Sequence, residues 1–385
     1  MSEQPLDGPV SRRWPYLADA ERAALRELLI HGPLSRAEIA RRIDVSRASL
    51  TRATRVLIEN ALVVEGEIAL RSGMGRPSEL LVVREDAHHF LGVKLTGDAV
   101  FVVVTTLRAQ VVAAVEEPLD STDVAATVEQ IGRIHDRLSA DFDDIHAAGV
   151  CLAGDMAEVD GHQIVTFSYF LQWQDVPLAD LLRARLGVPV TTDNDVRALT
   201  AVEHWFGAGA GTEALALLTV GAGIGVGLVI DDRIVTGRNG RAGALDHLLI
   251  DLDGPDCGRG HRGCASVFLP AESILSAIGV ADLDYPGAVE LARSGHPAAV
   301  RAFDEAGHTL GVLIATLLNA YDPEKVILTG EGLAVMELAG DRVRAAIARD
   351  RVPTERPVPL DVQPFEFTEW ARAGAVLALR TALQF

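Results

Sequence analysis

Three groups of residues could do chemistry. The first is an arginine stripe: Arg36 to Arg55 holds six arginines against Glu38 and Asp44, a local charge of +4. Arginine can bond a guanine edge bidentately, and serine or threonine can reach bases or phosphates. The second is Thr192-Asp193-Asn194-Asp195, directly before the helical run VRALTAVEHWF. Asp and Asn in that place satisfy the orphan N–H groups of a helix start. The third is Thr219-Val220-Gly221-Ala222-Gly223-Ile224-Gly225. Its glycines permit close backbone approach to a ligand, and they equally suit a hairpin turn between buried strands.

The surrounding composition bounds these readings. The chain has 385 residues, 49% of them hydrophobic and 23% charged, an ordinary globular balance. At roughly 150 residues per domain, two or three domains are expected. Its three cysteines, Cys151, Cys257 and Cys264, form no regular framework, which fits a reducing compartment. The longest apolar stretch, Ala214 to Ile230, contains four glycines and falls short of a membrane span. The N-terminus has no basic-then-apolar leader. A soluble cytoplasmic protein without membrane association is expected.

The net charge of −19 speaks against nucleic acid only until its distribution is read. Residues 1–90 hold 13 Arg and 13 Asp plus Glu and sum to zero, so the whole deficit lies in residues 91–385. A basic stripe on a small segment attached to an acidic body is the pattern of a DNA reader. A solvated arginine-rich helix face would carry the same charge.

Three short helices must position the stripe. Asp19 is a candidate N-cap for a helix whose Leu25, Leu28 and Leu29 share one face, and Gly32-Pro33 stops it. Ser35-Arg36-Ala37-Glu38 is a capping box that opens a second helix with Ile39 and Ala40 inward. Ile43-Asp44-Val45 is a turn, and Ser46 caps a third helix with Leu50, Leu57 and Ile58 on its apolar face. This is a helix-turn-helix, whose second helix enters the major groove N-terminal end first. Ser46, Arg47, Ser49, Thr51, Arg52 and Arg55 are its candidate DNA-binding residues. Apolar runs at Ala61–Val64 and Leu80–Val83 flank a β-wing, whose Gly75-Arg76-Pro77 could carry Arg76 into a minor groove. A plain interdomain linker would also be rich in Gly and Pro. Residues 1–17 read as a flexible tail, 18–86 as the winged helix-turn-helix and 87–385 as the body.

The body opens with a strand meander, FLGVKL, AVFVVVTTL and AQVVAAVEE, turned at Thr96-Gly97-Asp98. A helix follows Ser121, with Val124, Val128, Ile131, Ile134 and Leu138 at helical spacing, and then the strand AGVCLAG. A second copy of this order begins at Leu215 and ends with KVILTG at Gly330. Two α/β halves, each opening with a hairpin, predict the duplicated actin-like ATPase, or ribonuclease H-like, fold, with two lobes and a ligand cleft between them.

A winged helix-turn-helix followed by LTVGAGIGVGLVIDDRIVTGRNGRAG and a downstream His…Cys…Cys resembles the ROK family of repressors, open reading frames and kinases. The resemblance covers roughly residues 18–380. It implies a transcriptional regulator, expected to be a repressor, that binds a double-stranded operator as a homodimer or homotetramer. It further implies a sugar-like effector; members without the arm are usually sugar kinases.

The same resemblance implies what has been lost. Lys94 stands where the kinases' phosphate loop has its aspartate, so no ATP and no enzyme activity are expected. Thr329-Gly330-Glu331-Gly332 departs mildly from the nucleotide-side glycine pair. Asp195 matches the kinases' base and is expected to be vestigial; Asn194, Asp195 and His247 are the implied effector contacts. Two sugar-binding glutamates are replaced, by Ala244 and Ser266, which implies a different effector, a weaker one, or none. The family's structural zinc site is matched by His247, Cys257 and Cys264. Arg259 takes the place of a cysteine, and His261, shifted by two residues, could complete a set of four. A metal-free loop packed around the arginine is the alternative.

Overall fold

The computed structural model describes residues 14–69, 78–142, 144–354 and 357–385. They form two compact units: one runs to Gly211 and takes back Phe367–Phe385, and the other is Thr212–Glu366.

The first unit begins with α1 (Asp19–His31), β1 (Leu34–Ser35), α2 (Arg36–Arg42), α3 (Arg47–Glu59), β2 (Val63–Ala69) and β3 (Ser78–Val83). The strands form an antiparallel sheet in the order β1-β3-β2, which is the winged-helix arrangement. Ser35 and Glu38 make the reciprocal capping box, with the Glu38 N–H donating to Ser35 Oγ at 3.3 Å. Ser46 caps α3 by accepting from the Ser49 N–H at 3.1 Å. The α1 start differs from the sequence reading. Ala18 occupies the cap position, the Glu21 carboxylate accepts its N–H at 2.7 Å, and Asp19 instead pairs with Arg22. A carboxylate at the third helical position does the work that a capping side chain would have done.

The same unit continues with β4 (His89–Leu95), β5 (Ala99–Thr105), β6 (Val111–Pro118), α4 (Val124–Leu138) and β7 (Ile145–Leu152). Asp123, rather than Ser121, caps α4. There follow β8 (Asp155–Val159), β9 (His162–Ser168), β10 (Trp173–Val176), α5 (Leu178–Leu186), β11 (Val190–Asn194) and α6 (Asp195–Phe206). The second unit has β12 (Leu215–Val220), β13 (Ile224–Ile230), β14 (Arg233–Ile234), α7 (Ala271–Ile278), α8 (Tyr285–Arg293), α9 (Pro297–Tyr321), β15 (Lys325–Thr329), α10 (Ala334–Asp350) and β16 (Leu360–Val362). Helix α11 (Phe367–Ala382) returns to the first unit.

The two large sheets are β11-β7-β4-β5-β6 and β14-β13-β12-β15-β16. Each is an antiparallel meander whose first strand is extended on its other side by two parallel strands. The order is therefore the same in both halves, as a duplication requires. Helix α11 lies close on the first sheet because Gly149 has no side chain: a Cβ there would stand 1.9 Å from the Gly374 carbonyl oxygen.

The first unit's helix-turn-helix does not stand apart from its sheet. Leu25, Leu28, Leu50 and Leu57 share one apolar cluster with Phe90, Trp205 and Leu379. Of the expected tail, residues 1–13 lie outside the described residues, whereas Trp14 and Leu17 are packed into this seam. Leu17 is buried, and the Trp14 indole N–H donates to the Ala382 carbonyl at 3.2 Å.

Two buried histidines share the seam, with His88 Nδ1 2.5 Å from His146 Nε2 and Trp14 edge-on to His88 at 5.4 Å. Burial, helped by the neighbouring His146 and His89, lowers the His88 pKa from 6.5 to about 3. A histidine held neutral in this way stabilises the fold above pH 6.5, and that stability is lost as pH falls toward 3. For His88 alone the expected loss from pH 7 to pH 5 is about 2 kcal/mol. Urea unfolding at the two pH values checks it: His88→Gln should show a smaller pH difference than the wild type, and an equal difference would refute the assignment.

Candidate functional site

Helix α3 presents the expected face. Arg47, Thr51, Arg52 and Arg55 are exposed and Ser49 is half-buried, while Leu50, Ala53, Thr54 and Leu57 turn inward. Ser46 and Ser49 also bond to each other, Oγ to Oγ at 3.0 Å, at the N-terminal end that the motif points into a groove. Thr51 Oγ1 donates to the Arg47 carbonyl at 2.8 Å.

The structure corrects the charge count of the stripe. Arg55 is held by Glu59 at 2.7 Å, and Arg42 lies 3.5 Å from Glu27. Arg36 bonds Glu65 of β2, Glu79 of β3 at 3.4 Å and Thr54 of α3 at 3.4 Å, so it ties the wing to the helix. Among the described residues, no carboxylate pairs with Arg41, Arg47 or Arg52. Those three leave a smaller but more available positive face than the +4 implies. Arg76 lies outside the described residues.

A second constellation sits at the β11–α6 junction. Asn194 is the N-cap of α6: its Oδ1 accepts from the N–H of Val196 at 3.0 Å and of Arg197 at 3.3 Å. Its Nδ2 donates to the Gly154 carbonyl at 3.0 Å. The next residue, Asp195, is buried and forms an ion pair with the equally buried Lys94. Its other oxygen accepts the Val196 N–H at 2.9 Å. Lys94 also lies 4.9 Å from the Trp370 ring centroid. The sheet register explains the meeting. Lys94 and Asp193 both pair with Cys151 of β7, one from each side, and Asp195 follows two residues on. Burial pushes the Cys151 thiol up to about 12, so it stays protonated and donates to the Trp370 carbonyl at 3.1 Å.

Lys94 marked a lost aspartate in the sequence, but nothing local showed that it would neutralise the candidate base. A carboxylate whose two oxygens are already engaged is poorly placed to take a proton from a substrate hydroxyl.

In the second unit, His247, Cys257, His261 and Cys264 converge, each with a ligand atom within 4.8 Å of the others. His261 Nδ1 lies 3.2 Å from Cys257 Sγ and 2.8 Å from Cys264 Sγ. The shifted register of His261 is absorbed by a tight loop. Gly263 has φ 65°, and a Cβ there would overlap the Asp251 carbonyl oxygen. Buried His247 Nδ1 has no hydrogen-bond partner among the described residues. Two sulfurs and two imidazoles with an orphaned buried nitrogen are a donor set that suits a tetrahedral ion. Arg259 is exposed, so the loop does not pack around it. Ala244 is exposed, and the Ser266 hydroxyl is buried without a partner among the described residues. Asn194 and Asp195 belong to the first unit and His247 to the second.

Comparison with known proteins gives a consistent picture. The family profile described as ROK family matches residues 90–371. The xylose repressor of Bacillus spizizenii is 23% identical over 334 residues, 85% of this chain and 86% of that protein. The DNA-binding transcriptional dual regulator NagC of Escherichia coli K12 is 27% identical over 317 residues, 78% and 77% of the two chains. Among solved structures, a ROK family transcriptional regulator, a homologue of the E. coli MLC protein, matches with a TM-score of 0.80 at 24% identity, over 95% of this chain and 96% of that one. A ROK family glucokinase from Streptomyces griseus, solved with glucose and AMPPNP, matches with a TM-score of 0.62 at 25% identity, over 75% and 99%. Together with the repeated strand order, these neighbours bear out the duplicated actin-like ATPase fold. No described helix is long and apolar enough to cross a membrane.

Proposed function

The chain belongs to the ROK family, and on that premise we propose that it is a DNA-binding transcriptional repressor that responds to a sugar or a related small molecule. The observation that carries this is that Arg47 and Arg52 are exposed on a capped helix of a winged helix-turn-helix, with no carboxylate paired to either among the described residues. In this reading residues 18–86 read DNA, with Ser46, Ser49, Thr51 and Arg55 beside the two arginines and Arg76 on the wing. Residues 87–385 form the homodimer or homotetramer. Two arms then meet half-sites about one helical turn apart. The effector favours one arrangement of the arms over the other. Fragments selected from genomic DNA by the purified protein should share a paired, roughly symmetric site. Selection of no common site would count against the reading.

The relatives named above are a xylose repressor and transcriptional regulators, and kinases stand among the structural neighbours. We read this chain as a non-enzyme. The Lys94–Asp195 ion pair engages the residue that would serve as base, and Glu331 stands beside Gly221 of the glycine-rich loop, where its negative charge would oppose phosphate. Incubation with ATP and glucose, xylose or N-acetylglucosamine should form no sugar phosphate above the sugar-free background. Formation of a phosphorylated sugar would overturn this reading.

Asn194, Asp195 and His247 are proposed effector contacts. With Ala244 and Ser266 in place of carboxylates, the effector is held by fewer charged groups than in a sugar kinase. His247, Cys257, His261 and Cys264 are proposed to hold one zinc ion, which would fix the loop that carries His247. Metal analysis of the purified protein should find one equivalent of zinc per chain, lost in Cys257→Ser with Cys264→Ser. An unchanged zinc content in that variant would exclude the site.

A further inference from the structure

Helix α6 joins two places that a regulator must couple. Its first turn carries Asp195, capped by Asn194, and its last turn carries Trp205, which is 1% exposed. Its 12 residues span about 18 Å. The stretch Arg197–Val202 is buried, so the helix moves with its packing rather than bending freely.

At the far end, Trp205 lies in the same apolar cluster as Leu25, Leu28 and Leu29 of α1. Phe385 meets the Trp205 ring edge-on at 5.7 Å, and Arg26 of α1 lies 5.0 Å over Phe385. Helix α1 packs in turn on α3. Helix α11 runs alongside as a second rail. Its Trp370 lies by Lys94, and its Arg380 guanidinium lies 4.5 Å over the Trp205 ring. The intervals 195 to 205 and 370 to 380 are equal, so both helices link the buried ion pair to the seam with α1.

Resting on the regulator reading above, we infer that Trp205 is the positioning residue through which the Asn194–Asp195 end of α6 sets the placement of α1 and α3. A ligand that competes with Lys94 for Asp195 frees the near end of the helix. The packed tryptophan passes that change to α1, because tightly packed elements shift as units. A smaller apolar side chain would keep the seam apolar but leave a gap across which α6 moves without moving α1.

The test is hydrogen exchange on the full chain without DNA or sugar, so a failure falls on the coupling alone and leaves the regulator reading to operator binding. Wild type, Asp195→Asn, Trp205→Leu and the double variant are compared, with Trp205→Phe as the conservative change. Asp195→Asn should speed exchange in α1 and α3 several-fold more than in α4, which reports the stability lost with the ion pair. That response should vanish in the Trp205→Leu background and survive in Trp205→Phe, which separates a coupling role from a merely structural one. Should Trp205→Leu fail to fold, Arg380→Met takes its place and must blunt the same response. Three results would overturn the inference: no response in α1 and α3, an equal response without the tryptophan, or a matching response in α4.

Discussion

Replacing Arg47 and Arg52 together by alanine is expected to abolish selective operator binding while leaving the fold intact. Both side chains are exposed on the outward face of α3, and no described carboxylate holds either of them. A good bidentate contact to a base discriminates by about 1–3 kcal/mol, so two such contacts give a loss of roughly a hundredfold or more. If one or both hold phosphates instead, the salt slope falls by about 0.9 per lost contact. Titration of each single variant at two salt concentrations therefore assigns each arginine to base or backbone. Arg55→Ala should matter less, because Glu59 already engages that side chain. Wild-type affinity and selectivity in the double variant would show that α3 is not the reading helix.

Breaking the buried ion pair should have the largest effect on stability. Lys94→Met leaves the Asp195 carboxylate buried without its counter-charge, and removing one member of such a pair costs about 3–5 kcal/mol. Adding Asp195→Asn removes the stranded charge and should recover most of the loss. Thermal unfolding of the three proteins under one set of conditions reads this as a large drop followed by a partial return. Equal stability of Lys94→Met and wild type would mean that the pair is not buried as described.

Much of the arm was legible because its signals are local. Ser35 with Glu38, Ser46, and the leucines of α1 and α3 all act within a turn or two of helix, so spacing alone places them. The duplicated sheet was legible because each half repeats hairpin, helix and parallel strand. What escaped depends on distant partners. Lys94 meets Asp195 across 101 residues, through a sheet register that no local pattern encodes. The arginine stripe was overcounted for the same reason: Glu27, Glu65 and Glu79, which engage three of its charges together with Glu59, lie on other elements or outside the counted window. The sheet β10-β9-β8 went unread because its strands are short and mixed in polarity. Trp14 lay in what composition marked as a tail, and its place in the seam is set by α11, at the other end of the chain.

Binding of the 385-residue protein to fragments of its own upstream region, at two salt concentrations and with excess unrelated DNA, decides whether α3 reads an operator. The expected result is a site that survives the competitor, is protected as two half-sites, and is lost in the Arg47→Ala, Arg52→Ala variant. Weak binding that the competitor removes at both salts, from these fragments and from those selected out of genomic DNA, would contradict it.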